Sequence, residues 1–326
     1  MKLASLKSSQ SRDGELVVVN RALTQFAKAS DIAPNLLSAL ENWSQVEGLL
    51  QQRAEDLESG KAKAQPYEEK NMLACLPRTW LFADGSAFIY HVKLVRMARK
   101  APLPETLSTV PLMYQGECAR FLNPWEDIPQ RDFAHGTDFE GEVAVLTDFV
   151  PMGTSAEECL KKIRLVLIMN DVSLRGLIPS ELAQGFGFFQ SKPASSLSPI
   201  AVTPDDLGTA WKGGRLHLPL DVKYNGQFFG NANAGAMHFH FGELIAHAAK
   251  TRDLQPGTLI GSGTVSNEDH SKGSSCLAEK RMIETIETGT PTTPFMKEGD
   301  TIEISMSNEK GDSIFGRIFQ KVIKVP

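Results

Sequence analysis

Two glutamates stand two residues apart in Asp138-Phe-Glu-Gly-Glu142-Val-Ala-Val-Leu. In a strand, Glu140 and Glu142 would leave the same face, about 7 Å apart along the chain, so that both could grip one ion. A second apolar run, Leu165 to Met169, delivers Asp171 within Met169-Asn-Asp-Val-Ser-Leu-Arg175. Three hard oxygen ligands, with positions left open for water and substrate, suit Mg²⁺, Ca²⁺ or Mn²⁺ better than zinc. Alone, a Glu-x-Glu pair reads as the wet face of a half-buried strand, and only a third carboxylate and a nearby cation shift the balance. The cation is offered by Lys192 in Phe186-Gly-Phe-Phe-Gln-Ser-Lys192. It is either a side chain snorkelling from an apolar loop or a charge aimed into a site.

Further candidates are weaker. Asp84 and His91 stand seven residues apart around a turn signal, and an imidazole without a known partner is commonly a surface or hydrogen-bonded core residue. His238-Phe-His240 alternates like a strand, but two histidines without a third ligand read as structural. Gly257-Thr-Leu-Ile-Gly-Ser-Gly263-Thr264 lacks the spacing of a dinucleotide or phosphate-binding loop, which excludes nucleotide binding by those motifs.

The elements that must position these residues are set by a chain of 326 residues, long enough for a large core. A net charge of −5 with no basic stripe argues against nucleic acid as a partner. No apolar run approaches a membrane span and none follows Met1 as a secretory signal, so a cytoplasmic protein is expected. Cys75, Cys118, Cys159 and Cys276 are scattered without a Cys-x-x-Cys pair, and buried free thiols follow.

In chain order, Asp13-Gly14 predicts a turn and Leu16 to Val19 a strand. Pro34 opens a helical pattern with Leu37, Leu40, Trp43, Val46, Leu49 and Leu50 at helical spacing. The small, charged stretch 59–66 reads as a linker. From Met72 onward, short β-like runs alternate with Gly, Pro and Asn. Ser155-Ala-Glu-Glu158 is a capping-box pattern that starts a helix to about Arg164. Asn225-Gly226 predicts a hairpin, Phe241 to Ala249 a helix, and the remainder is strand-like to the C-terminus.

From about Met72 to Val325 the chain resembles the fumarylacetoacetate hydrolase family. The resemblance rests on Asp138-Phe-Glu-Gly-Glu142, Met169-Asn-Asp-Val-Ser-Leu-Arg175, Gly187-Phe-Phe-Gln-Ser-Lys192 through Ser198-Pro199, and Gly261-Ser-Gly-Thr264-Val-Ser266, in the family's order. It implies that Glu140, Glu142 and Asp171 bind a divalent cation (Mg²⁺, Ca²⁺ or Mn²⁺). Asp84 falls where the long-form members add a metal ligand, and His91 falls at their catalytic histidine. Lys192 is implied in catalysis, Tyr114, Arg175 and Thr264 in substrate binding, and Glu279 as the carboxylate that orients His91. The chain departs from fumarylacetoacetase at Ser86 and Ile178, where Tyr and Gln are expected, and Arg99 and Lys100 compete for a further substrate-binding position.

The fold implied is α+β, a mixed β-roll or sandwich core with flanking helices. A small N-terminal domain, residues 1–71, would precede a catalytic domain over 72–326, and the family is usually dimeric. The activity implied is metal-dependent hydrolysis of the carbon–carbon bond of a 1,3-diketo acid such as fumarylacetoacetate, as in aromatic amino acid catabolism. Decarboxylation, isomerisation or hydration of a 2-oxo acid, and acylpyruvate hydrolysis, stay open beside it.

Overall fold

A computed structural model describes residues 1–98, 102–103 and 105–326. Arg99 and Lys100 lie outside the described residues. The centre of the molecule is an 11-stranded sheet. Its main path runs through strands Gln65–Pro66, Gln25–Lys28, Glu15–Val19, Lys2–Leu6, Ile200–Val202, Ile163–Asn170, Gly141–Thr147, Leu259–Gly261, Phe82–Gly85 and Met113–Gly116, with Ser196–Leu197 paired beside Ile163–Asn170. Within this sheet, neighbours are antiparallel except Leu259–Gly261 with Phe82–Gly85, which run parallel. Strands from the first 71 residues thus continue the sheet that holds the carboxylate-bearing strands.

The two central strands carry unbroken apolar runs because both of their faces are covered. Val143, Val145, Val166 and Ile168 point into one core, shared with Ile302, Ile304, Phe315 and Ile318. Ala144, Leu146, Leu165, Leu167 and Met169 point into the other, against Leu36, Leu40, Trp43, Val46 and Leu50. This is the period-two alternation of a strand buried on both sides. The first core is closed by a five-stranded sheet in the order Gln227–Gly230, Asp221–Tyr224, Thr301–Ser307, Ser313–Lys324, Ile128–Gln130. The second is closed by helices Leu36–Glu41 and Trp43–Glu58. The architecture is the expected α+β sandwich with flanking helices.

Local signals hold in several places. Gly14 turns with φ 71°, and the Asn225-Gly226 hairpin has φ 51° and 73°, the left-handed pair its tight turn needs. Others are corrected. The helical stretch after Pro34 is split at Asn42, which leaves helical geometry at φ −124°, ψ 26°, and Leu49 stands 57% exposed off the apolar stripe. Gln65–Pro66, at the end of the expected linker, pairs with the sheet edge. Ser155 caps the Glu158 amide, but that helix stops at Leu160, since Ile163 already pairs with Thr147. His238 and His240 are not on a strand; the His240 amide donates to Glu243 Oε2 at 2.8 Å at the start of helix Phe241–Ala248.

Two helices, Ile89–Ala98 and Leu277–Thr288, occupy stretches that read as strand-like. The first is rich in β-branched and aromatic residues, and there tertiary packing outweighs weak intrinsic preference; the second opens on Leu277-Ala-Glu-Lys-Arg-Met282, all strong helix formers. Among the described residues, no helix is long and apolar enough to cross a membrane.

Phe82 ties the sheet to the site beside it. It is fully buried, meets Tyr114 and Phe121 edge-to-face at 6.2 and 6.0 Å, and lies where any side chain at position 116 would stand. Phe82→Ala is expected to cost about 3–5 kcal/mol, as buried Phe truncations do. The check is the shift in denaturant midpoint; a shift worth under about 1 kcal/mol would contradict the packing described.

Candidate active site

Three adjacent strands deliver their polar residues at one end of the sheet. Gly261 pairs with Asp84 on one side and with Ala144 on the other, which brings the Asp84 and Glu142 carboxylates together across a residue with no side chain. A Cβ on Gly261 would lie 2.3 Å from Asp84 Oδ1 and 3.1 Å from Glu142 Oε2. The amide of Gly263 donates to both carboxylates, at 3.1 Å each. Gly263 turns at φ +77°, with the Gly85 carbonyl 2.3 Å from where its Cβ would stand, so glycine is required there.

Asp171 follows the end of strand Ile163–Asn170, whose Met169 pairs with Glu142. Asp84, Glu142 and Asp171 each offer a carboxylate oxygen within 4.8 Å of the others. All three are buried, and Glu142 Oε1 has no hydrogen-bond partner. An all-oxygen donor set with an orphaned buried oxygen fits a divalent cation of the Mg²⁺, Ca²⁺ or Mn²⁺ kind.

Glu140 lines the same cavity as Asp84 but is not one of the three carboxylates grouped within 4.8 Å. It precedes strand Gly141–Thr147, its amide donates to Asn170 Oδ1, and its carboxylate faces cations: Lys192 Nζ at 2.8 Å and the Arg175 guanidinium. Arg175 also donates from Nε to Asp138 Oδ2 at 2.9 Å. Lys192 bridges Glu140 and Asp171, the latter at 2.6 Å. Asp171 accepts further from Tyr114 and Ser195 hydroxyls, both at 2.5 Å. Thr264 lines the same cavity.

His91 and Glu279 come from the two helices. His91 Nδ1 lies 2.8 Å from Glu279 Oε2, and Glu279 is 1% exposed. Helix Leu277–Thr288 is anchored at its first turn by Asp138, which accepts from the Leu277 and Ala278 amides at 2.8 and 2.9 Å. The free N–H groups and dipole of the helix stabilise that carboxylate. Asp138 therefore links Arg175 and Glu140 to the element carrying Glu279. A cavity of about 390 Å³ collects Asp84, His91, Tyr114, Glu140, Arg175, Lys192 and Thr264 at its polar end, and Val92, Val95, Ile178, Leu182, Met282 and Phe295 along its apolar walls.

Charge is unevenly matched here. Burial pushes Asp84 up to about 8, with the Asp171 charge adding to it. Burial and the Asp84 charge likewise hold Glu142 well above the carboxylate range. For Glu140, burial would raise the value, but Arg175 and Lys192 outweigh it and hold this carboxyl low. Burial acts against the Lys192 charge, yet Asp171 and Glu140 keep it protonated. Burial and Asp171 raise Tyr114, which stays a hydroxyl donor.

Several contributors escaped the sequence reading. Asp138 sat in a motif used only for its glutamates. Gly261 and Gly263 matter through what their missing side chains allow, and Ser195 carries no pattern of its own.

Gly261→Ala is expected to weaken divalent-cation binding at least tenfold, because its methyl occupies the space of the Asp84 oxygen; calorimetry with Mn²⁺ decides, and unchanged affinity would contradict the geometry. Without cation, the folded state binds more protons at Asp84 and Glu142 than the unfolded chain does, so stability falls as pH rises from the ordinary carboxylate range toward about 8. The melting temperature of metal-stripped protein should fall between pH 5 and 8, and Mn²⁺ should raise it more at pH 8 than at pH 6. A pH-independent metal effect would sink this account.

Comparison with known proteins fits the geometry. Residues 81–323 match the fumarylacetoacetate (FAA) hydrolase C-terminal family and residues 1–78 the fumarylacetoacetase N-terminal domain 2 family. A 2,4-didehydro-3-deoxy-L-rhamnonate hydrolase from Sphingomonas sp. is 23% identical over 231 residues, covering 66% of this chain and 70% of that enzyme. In solved structures, a fumarylacetoacetate hydrolase from Exiguobacterium antarcticum superposes with a TM-score of 0.69 at 14% identity over 100% of both chains. A maleylpyruvate hydrolase from Sphingobium sp., crystallised with manganese(II) and pyruvate, does so at 0.67 and 14%, again over 100% of both. With both family matches in order and together spanning nearly its whole length, the chain belongs to the fumarylacetoacetate hydrolase family.

Proposed function

We propose that the protein is a divalent-metal-dependent hydrolase that cleaves the carbon–carbon bond of a 1,3-diketo acid of the fumarylacetoacetate type. The observation that carries this is the His91–Glu279 pair on the cavity that also holds the Asp84, Glu142 and Asp171 carboxylates. Isomerisation or decarboxylation of a 2-oxo acid can proceed on the metal cluster alone, whereas hydrolysis needs a base for water. Similar proteins are named as hydrolases of fumarylacetoacetate, maleylpyruvate and a didehydro-deoxy sugar acid, and others as isomerases, so the His91–Glu279 pair carries the choice of hydrolysis.

Asp84, Glu142 and Asp171 would hold a divalent cation, which when bound would supply Lewis-acid stabilisation of the leaving enolate. The remaining work falls to the chain's own groups. Glu279 accepts the Nδ1 proton of His91, which directs the basic Nε2 toward water and stabilises the imidazolium once formed. Nε2 takes a proton as the water oxygen bonds to the carbonyl carbon. The adduct then breaks its carbon–carbon bond, leaving the electron pair on the enolate, and the imidazolium returns the proton to that carbon. Lys192 spends two of its three N–H donors on Glu140 and Asp171, and its remaining donor serves a developing oxyanion. Tyr114 and Ser195 hold Asp171 in place.

His91→Ala is expected to lower turnover on the order of 10²–10⁴-fold, the worth of a positioned general base, with Mn²⁺ affinity unchanged. Glu142→Ala is expected to abolish both activity and the cation-induced rise in melting temperature. The assay follows loss of absorbance with fumarylacetoacetate beside acylpyruvates and oxaloacetate. Near-normal turnover in His91→Ala would replace hydrolysis by metal-supported decarboxylation or isomerisation.

A further inference from the structure

We propose that Arg281 receives a second anionic group on the substrate's far end, so that the enzyme selects dianionic oxo acids over those with neutral tails. This rests on the cavity being the substrate site.

The cations at the polar end of the cavity are already engaged. Lys192 lies between Glu140 and Asp171, and Arg175 between Asp138 and Glu140. Arg281 lines the same cavity and, among the described residues, has no carboxylate within ion-pair distance. It is nonetheless held in place. Its guanidinium carbon stacks 4.3 Å from the Phe295 ring centroid, and Nη1 donates to the Thr293 carbonyl. The Thr293 segment is itself fixed to the helix, since Glu284 accepts from the Thr292 and Thr293 amides at 2.7 and 2.9 Å. Nε and Nη2 keep their donors without a protein acceptor among the described residues, and a preorganised fork of this kind matches a carboxylate.

The position suits the far end of a substrate. Ala278, Arg281, Met282 and Thr285 line the cavity at helical i, i+3, i+4, i+7 spacing. Ala278 is at the helix end that Asp138 ties to the carboxylate cluster, and Arg281 is about 4.5 Å farther out along the axis. The same cavity is lined by the apolar Val92, Val95 and Met282. A charge pair formed against them is less screened than one in water.

The test uses cation-loaded protein and non-cleavable probes: 2-oxo diacids of five to seven carbons and 2-oxo monoacids of the same lengths, measured by calorimetry. Wild type should bind the best diacid about tenfold or more tighter than its monoacid, the worth of a hydrogen-bonded charge. Arg281→Met should erase that preference while leaving monoacid affinity unchanged, which also reports an intact fold. Arg281→Lys should keep part of it, and decides the matter with wild type if the methionine variant does not fold. Equal binding of diacids and monoacids by wild type overturns the proposal. So does an equal loss for both in Arg281→Met, which would mark a stacking role only. A diacid preference without cleavage of any diketo acid would leave this subsite standing and remove the hydrolase reading; cleavage without the preference would do the reverse.

Discussion

Five buried carboxylates, Asp84, Asp138, Glu140, Glu142 and Asp171, share one buried ammonium and one largely buried guanidinium. Water-poor surroundings make each uncompensated charge costly, so every carboxylate must find donors, a cation or a proton. Asp138 and Glu140 find Arg175, Lys192 and the amides of a helix start. Asp171 finds Lys192 and two hydroxyls. Asp84 and Glu142 share one amide, that of Gly263, and are left to hold protons or a divalent cation. The excess of negative charge is what makes the site one for a cation.

That arrangement is possible because of where the carboxylates sit on the sheet. The central strands are apolar on both faces over most of their length, with a core on either side. Polar groups can emerge only at the strand ends. Asp84 is the third residue of Phe82–Gly85, Glu142 the second of Gly141–Thr147, and Asp171 comes directly after Asn170. The antiparallel and parallel registers around Gly261 align these ends, and a side chain at that position would force them apart. The cores fix the sheet, and the sheet fixes the spacing of the carboxylates.

The legible parts of the sequence were those with strong local periodicity. An apolar run opened by acids marked Glu142, one closed by an acid marked Asp171, and Asn225-Gly226 marked its hairpin. Glu140, read as a ligand beside Glu142, lines the same cavity as Asp84, but its pairing with Lys192 and Arg175 joins distant segments that no local pattern marks. The helices carrying His91 and Glu279 were hidden for opposite reasons. Ile89–Ala98 holds Ile, Tyr and two Val in a run that favours strands locally, whereas Leu277–Thr288 is mostly polar outside its first turn. Its local signals were the helix formers Leu277 to Met282, the Lys280–Glu284 pair at i,i+4 spacing and the Gly289 stop in left-handed conformation. The engagement of Arg175 with Asp138, 37 residues away, and with Glu140 was not legible, since it is made through the fold.

For the hydrolysis proposed above, the same charge pattern decides where a proton can go. Asp84 and Glu142 are committed to protons or to a cation, and in neither state does either offer a free base. Glu140 is held ionised by two cations beside it, which lowers its basicity, and Asp171 already accepts from three donors. Tyr114 is held as a hydroxyl by burial and by the Asp171 charge beside it. A strongly acidic cluster is thus poor at taking a proton from water despite its many carboxylates. His91 differs: its Nδ1 is occupied by Glu279, its ring borders the cavity, and it stands on a helix outside the sheet that carries the cluster. In the proposed reaction, cation binding and proton transfer therefore fall to different elements, which Asp138 ties together.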